Sequence, residues 1–186
     1  MPSTSPSSHA GHAALIIDRP TVDDGPTIWR LARDSRVLDL NSTYSYLLWC
    51  RDFADTSAVV RDETTGEPIA FVTGYLRPSR PRTLVVWQIT VAQAHRGRGL
   101  AAALLDELTA QVRAQHPIST VETTITPDNT ASLALFTAYA KRHRADVEQS
   151  VLFDGGLFPG AGHAPEVLHR IGPLSPPTHH PAPAES

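Results

Sequence analysis

The run Arg96-Gly97-Arg98-Gly99 combines two residue types that together favour an anion. Glycine lets a backbone turn sharply and approach a ligand closely. Arginine adds a permanent charge and a planar fork of donors. If the run opens a helix, backbone N–H groups with no intrahelical partner face the same point as the positive end of the helix dipole. The chemistry is then the cradling of a pyrophosphate. Taken alone, such a run is equally well an exposed glycine-rich turn, so the surrounding elements must decide.

A second set of residues could carry chemistry by type alone: the carboxylates Asp39, Glu122 and Glu166, the imidazole of His163 and the indole of Trp87. Each has a plainer reading. Asp39 suits a turn or helix cap, Trp87 suits a core, Glu122 suits a solvated strand, and His163-x-x-Glu166 suits a loop. Cys50 lies on an apolar helical stripe and reads as packing, not as a nucleophile. No metal site is expected: His163 and Glu166 lack a third ligand, and His9, His12, His179 and His180 lie in segments without rigid convergence.

The elements that must position these groups follow from periodicity. Leu15 to Ile17 is a short strand, and a helix starts at Asp23 or Asp24 with Pro26 in its first turn and Ile28, Leu31 and Ala32 as its stripe. A second helix covers about Ser45 to Phe53. Strands Ser57–Arg61 and Ile69–Leu76 flank the turn Thr64-Thr65-Gly66. Thr83–Val91 is a third strand of that meander. Leu100, Leu104 and Leu108, with Ala101, Leu105 and Val112, mark a helix from about Gly99 to Gln115, stopped by Pro117. Strand Thr120–Thr126, helix Asn129–Arg142 and strands Ala145–Phe153 and Val167–Ile171 complete the series. A meander followed by a β-α-β crossover gives an α/β chain with a mixed sheet flanked by helices, 83–91 lying beside 120–126.

That order puts Arg96–Gly99 between a strand and an amphipathic helix, which favours the anion site. A dinucleotide fold fits the spacing of Gly97, Gly99 and Ala102 but little else. The glycines lie several residues past the strand, they follow an antiparallel meander, and no acidic residue ends the next strand.

Bulk properties bound the rest. A chain of 186 residues with 41% hydrophobic and 19% charged residues suits one globular domain, drawn at 13–173. Residues 1–12 and 174–186, rich in Ser, Pro and His, are expected as disordered tails. A net charge of -3 leaves no footprint for nucleic acid, and no basic run marks a membrane surface. One cysteine, no signal-type N-terminus and no apolar stretch of membrane length point to the cytoplasm.

The residues also carry a resemblance. Ala94-His95-Arg96-Gly97-Arg98-Gly99 resembles the R/Q-x-x-G-x-G/A signature of the GNAT superfamily of N-acetyltransferases, departing at Ala94. Asn129-x-x-Ser132-x-x-Leu135-Phe136 resembles that family's Asn-x-x-Ala-x-x-Leu-Tyr helix, departing at Phe136, where many members have the tyrosine that protonates the leaving thiolate. The resemblance implies a GNAT fold, with a mostly antiparallel sheet splayed in its middle, and acetyl-CoA as co-substrate with no metal. Ile89, Val91, Arg96, Gly97, Arg98, Gly99, Leu100, Asn129 and Phe136 would hold the cofactor. A backbone N–H near Thr90 or Val91 would stabilise the oxyanion, and Tyr139, one turn past Phe136, is a substitute acid.

A closer resemblance, over about Ile16 to Ile171, is to the branch that acetylates the 4-amino group of L-2,4-diaminobutyrate in ectoine biosynthesis and so serves osmoadaptation. It rests on Asp39-Leu40-Asn41-Ser42-x-Tyr44, Trp87-Gln88, Pro127-Asp128-Asn129 and His163-x-x-Glu166. It implies that Asp39, Asn41, Tyr44, Trp87, His163 and Glu166 bind a small diamino acid, with Asp39 and Glu166 taking ammonium through charge-assisted hydrogen bonds, and that the chain forms a homodimer. The accepting ammonium, with an ordinary pKa of about 10, must then lose a proton before it attacks; Glu122 is the first candidate for that base, directly or through water, with His163 or Glu166 second. Acetylation of another small amine, or binding of acetyl-CoA without turnover, are the competing readings.

Overall fold

The computed structural model describes residues 15–159 and 162–175. Its strands are β1 (Ile16–Asp18), β2 (Ala58–Arg61), β3 (Pro68–Leu76), β4 (Thr83–Val91), β5 (Thr120–Ile125), β6 (Asp146–Phe153) and β7 (Glu166–Gly172). The helices are α1 (Gly25–Ser35), α2 (Thr43–Asp52), α3 (Leu100–Gln115) and α4 (Thr130–Arg142). The strands form one seven-stranded sheet in the order β1-β2-β3-β4-β5-β7-β6. Only β4 and β5 run parallel. The expected mixed sheet is present, with β7 inserted between β5 and β6 so that β6 becomes the edge.

Alternation along the strands divides the core into two faces. Ala58, Val60, Ala70 and Val72 meet Leu104, Leu105, Leu108 and Val112 of α3 on one face. Their neighbours Val59 and Phe71 meet Ile28 and Ala32 of α1 and Tyr46 and Cys50 of α2 on the other. Burial pushes the Cys50 thiol up to about 12, with the charge of Asp24 adding to it, which fits a packing role.

Two irregularities shape the middle of the sheet. Thr73 lies opposite Gln88 and Gly74 opposite Val86, so Trp87 is an extra residue bulged out of β4. The bulge shifts the alternation: Leu84 and Val86 share the α3 face with Ile89 and Val91. Gly74 is required there, since a Cβ would meet the Val85 carbonyl oxygen at 2.7 Å. Second, β4 pairs with β5 only at Thr83–Thr120, Leu84–Val121 and Val85–Glu122. Past those pairs the strands part, and β5 continues against β7 alone.

Residues 1–12 lie outside the described residues, as do 176–186. Leu174 and Ser175, assigned by composition to the C-terminal tail, belong to the folded domain. Leu174 is buried and its N–H donates to the Ser119 carbonyl at 2.9 Å. The Ser175 hydroxyl donates to the His143 carbonyl at 3.1 Å. Two anchored residues ahead of a proline-rich run are too few to alter its composition.

Candidate active site

The cradle forms as its residue types require. After β4 the chain makes a short 3-10 turn at Gln93–His95 and reaches Gly97 and Gly99, whose φ angles are 77° and 75°. Only glycine adopts that region cheaply. A Cβ at either position would meet no atom within 4 Å, so conformation demands the glycine and the space in front stays open to a ligand. Gly99 is the N-cap of α3 and offers no side-chain cap, which leaves the first-turn N–H groups to an anion. Arg96 is fixed by donating from Nε to the Val91 carbonyl at 3.2 Å. Arg98 turns aside, with Nη1 at 2.9 Å from His95 Nδ1.

A cavity of about 400 Å³ runs from this cradle along β4. Of the expected cofactor residues, Ile89, Val91, Arg96, Gly97, Gly99, Leu100 and Asn129 line it, together with Thr90. Asn129 also caps α4, its side-chain oxygen accepting from the Ser132 N–H at 3.1 Å. Two of the assigned residues do not line this wall. The Arg98 guanidinium is turned to His95 instead. Phe136 is 3% exposed in the core beneath α4, and Ser132 and Leu135 line the cavity instead. Ser35, Val37 and Leu38, which the sequence did not suggest, close the far side.

Strand geometry decides which backbone groups face the gap. The Ala92 N–H donates to the Ile69 carbonyl at 2.8 Å. Ladder bonds recur at every second residue, so Thr90, opposite Phe71, also directs its N–H at β3. The N–H groups of Ile89 and Val91 therefore point toward β5, where no strand meets them. Of the two donors expected from the sequence, Val91 fits and Thr90 does not.

Tyr139 is also corrected. It is fully buried between α3 and α4, its hydroxyl 2.8 Å from the Thr109 hydroxyl. Burial pushes its pKa up to about 12 despite the Thr109 hydrogen bond. It lines neither cavity and has no path to a thiolate.

A second cavity, about 540 Å³, continues along β4 on the other side of Gln88. The first takes residues 89–91 of that strand and the second takes 85–87. Trp87, Glu122 and Glu166 line the second, brought together from three strands. Tyr75, Arg77, Phe153 and Phe158 join them. The bulge presents the Trp87 ring, which stacks on Trp49 with centroids 4.6 Å apart. Glu122 is 2% exposed; Oε2 accepts from Arg77 Nη1 at 2.8 Å, while Oε1 is buried with no hydrogen-bond partner. Glu166 forms no ion pair among the described residues. His163 stacks on Phe158, and its Nδ1 lies 2.6 Å from the Ala164 carbonyl. A carbonyl only accepts, so Nδ1 is the donor; His163 itself lines neither cavity.

Asp39, Asn41 and Tyr44 line neither cavity. Their loop is held by its backbone: the Asp39 carbonyl accepts from Gln88 Nε2 at 2.8 Å, and the Asn41 carbonyl accepts from Trp29 Nε1 at 3.2 Å. Gln88 in turn accepts from the Tyr46 hydroxyl at 3.1 Å. The loop is thus fastened to Gln88, which lies on β4 between the residues lining the two cavities, with the Tyr44 ring turned to solvent.

Comparison with known proteins agrees with this geometry. Residues 26–140 match the model of the acetyltransferase (GNAT) family. The chain is 71% identical over 161 residues to an L-2,4-diaminobutyric acid acetyltransferase of Streptomyces anulatus, covering 87% of this chain and 91% of the relative. It is 49% identical to the enzyme of that name from Nocardia farcinica, covering 86% of this chain and 81% of the relative. Among solved structures it is similar to diaminobutyrate acetyltransferase EctA from Paenibacillus lautus, in complex with its substrate L-2,4-diaminobutyric acid and coenzyme A. The TM-score is 0.81 at 38% identity, covering 86% of this chain and 95% of that one.

Proposed function

The chain belongs to the acetyltransferase (GNAT) family, and from that premise we propose that it transfers the acetyl group of acetyl-CoA to the 4-amino group of L-2,4-diaminobutyrate. The observation that carries this reading is the pair of cavities set along β4, one with an anion cradle and the other with two carboxylates and a tryptophan. Identity of 71% to a diaminobutyrate acetyltransferase supports the choice of amine.

In this reading the cradle at Gly97–Gly99 takes the pyrophosphate of acetyl-CoA, and the free edge of β4 takes the extended arm. The thioester then lies in the gap between β4 and β5. The N–H groups of Ile89 and Val91 face the carbonyl oxygen as negative charge develops on it. Glu166 removes a proton from the incoming ammonium, directly or through water. Trp87 flanks the acceptor, and the loop of Asp39, Asn41 and Tyr44 is fastened to the neighbouring Gln88. The amine attacks in a ternary complex to form the C–N bond of a tetrahedral adduct; as the adduct collapses the C–S bond breaks and the departing thiolate takes the surplus proton from the nitrogen. That transfer protonates the sulfur, so no tyrosine is needed as acid. The reaction needs no metal.

The product places the enzyme in ectoine biosynthesis, and so in osmoadaptation. Among the described residues no helix is long and apolar enough to cross a membrane, which suits a cytoplasmic enzyme. The edge strand β6, exposed along its length with Val147 and Val151 open to solvent, supports a homodimer.

Release of CoA thiol with a panel of amines tests the assignment. L-2,4-diaminobutyrate should turn over at least about tenfold faster than putrescine or lysine. Equal rates would replace it with a broader amine acetyltransferase, and acetyl-CoA binding with no release would leave a module without turnover.

A further inference from the structure

The ion pair at the closed end of the acceptor cavity is a built site with one position open. Glu122 lies on β5 where that strand still pairs with Val85 of β4. Arg77 follows β3, its N–H held by the Thr83 carbonyl at 3.0 Å, and its side chain shares the cavity face with Tyr75. The guanidinium is partly exposed, while the glutamate is buried. Only Nη1 is committed to Glu122, so further N–H groups of the fork remain. Glu122 Oε1 has no hydrogen bond; Arg170 faces it only as a long ion pair, Nε at 3.8 Å. A buried carboxylate oxygen without a hydrogen bond is costly unless something that enters the cavity supplies one.

We infer that Arg77 and Glu122 form a clamp for the zwitterionic end of an α-amino acid: the guanidinium donates to its carboxylate and Glu122 Oε1 accepts from its α-ammonium. This rests on the proposed diaminobutyrate activity and assigns that site's selectivity. The clamp fixes the head group at the closed end of the gap and leaves the distal amine to reach the open end. Glu166 stands there, four residues along β7 from Arg170, the residue opposite Glu122, which is roughly 13 Å of strand. Glu122 is then an anchor, and the clamp explains why the 2-amino group is spared: its nitrogen is held away from the thioester.

The test compares L-2,4-diaminobutyrate with 1,3-diaminopropane, which keeps the reacting amine and lacks the carboxylate. Arg77→Gln should raise the KM for diaminobutyrate by about 10- to 100-fold, the loss of a hydrogen bond between charged groups. It should leave the KM for diaminopropane and for acetyl-CoA within about twofold, so the preference collapses. Arg77→Lys keeps the charge but loses the fork, and should fall between the two. If either variant weakens both amines equally, the pair is only structural and the inference fails. Should Arg77→Gln not fold, an unchanged preference in Arg77→Lys overturns it equally well. Failure of the wild-type protein to favour diaminobutyrate would instead remove the underlying activity, a distinct outcome.

Discussion

Trp49 and Trp87 lie face to face, their ring centroids 4.6 Å apart and their planes 14° from parallel. The contact joins α2 to the bulge of β4, and Tyr75 and Phe53 pack around the Trp49 ring. Trp87 is therefore a cavity wall whose position is set from behind. Trp49→Ala should cost about 2 kcal/mol of stability and raise the acceptor KM about tenfold, because a misplaced wall loosens the attacking geometry. Trp49→Phe should recover most of both. Steady-state kinetics with each substrate varied, beside urea unfolding, checks this; an equal rise in the acetyl-CoA KM would show that the stack does not act on the acceptor side.

At the cradle, Gly99→Ala and Gly99→Glu separate conformation from charge. With no atom within 4 Å of an added Cβ and φ at 75°, alanine meets strain alone. It should cost about 1 kcal/mol of stability while leaving CoA binding nearly intact. Glutamate adds a carboxylate against the pyrophosphate and should weaken CoA by about 100-fold or more. Calorimetric titration with CoA reads the difference, and wild-type affinity in Gly99→Glu would put the cradle elsewhere.

What could be read from the sequence was what is local in the sequence. Arg96–Gly99 needed only the glycines and the change from strand to helix period around them. Trp87 and Glu166 were legible as residues, but the bulge that turns Trp87 into the cavity depends on counting against β3. Arg77 was invisible because its partner lies on another strand, brought close by the fold. The position of β7 between β5 and β6 was equally hidden, since either order of that hairpin has the same apolar pattern. In α4 the signal lies in the spacing itself: Leu133, Phe136 and Ala140 share one helical face and Tyr139 falls on it, so burial of that face turns Phe136 and Tyr139 away from the cofactor.

Tyr139→Phe tests that correction. Removing the hydroxyl leaves Thr109 bonded to the Leu105 carbonyl at 2.8 Å, so the loss should be near 1 kcal/mol. Because the hydroxyl never meets the thioester, kcat and its pH profile should match the wild type. A basic limb that moves, or a large fall in kcat, would return Tyr139 to the chemistry.

The last expectation concerns acid stability. Asp24 sits at the N-cap of α1, where burial raises its pKa but the Arg61 hydrogen bonds at 2.8 and 2.9 Å and the Thr21 N–H at 2.7 Å outweigh it. The net direction is downward from the ordinary 3.8. A carboxylate whose pKa is lower folded than unfolded contributes stability that is complete above the unfolded value. It is lost as pH falls through the folded value, because the unfolded chain binds the proton first. Asp24→Asn should therefore cost about 3 kcal/mol at neutral pH, where it strands Arg61 among partly buried groups. Asp34, Asp52 and Asp62 are shifted the same way, so the wild-type curve alone would not isolate the pair. The difference between wild type and variant does isolate it: urea unfolding from pH 7 to pH 2 should show the gap constant down to about pH 4 and closing below it. A gap that stays constant throughout would mean that packing at position 24, and not its charge, holds α1 to β2.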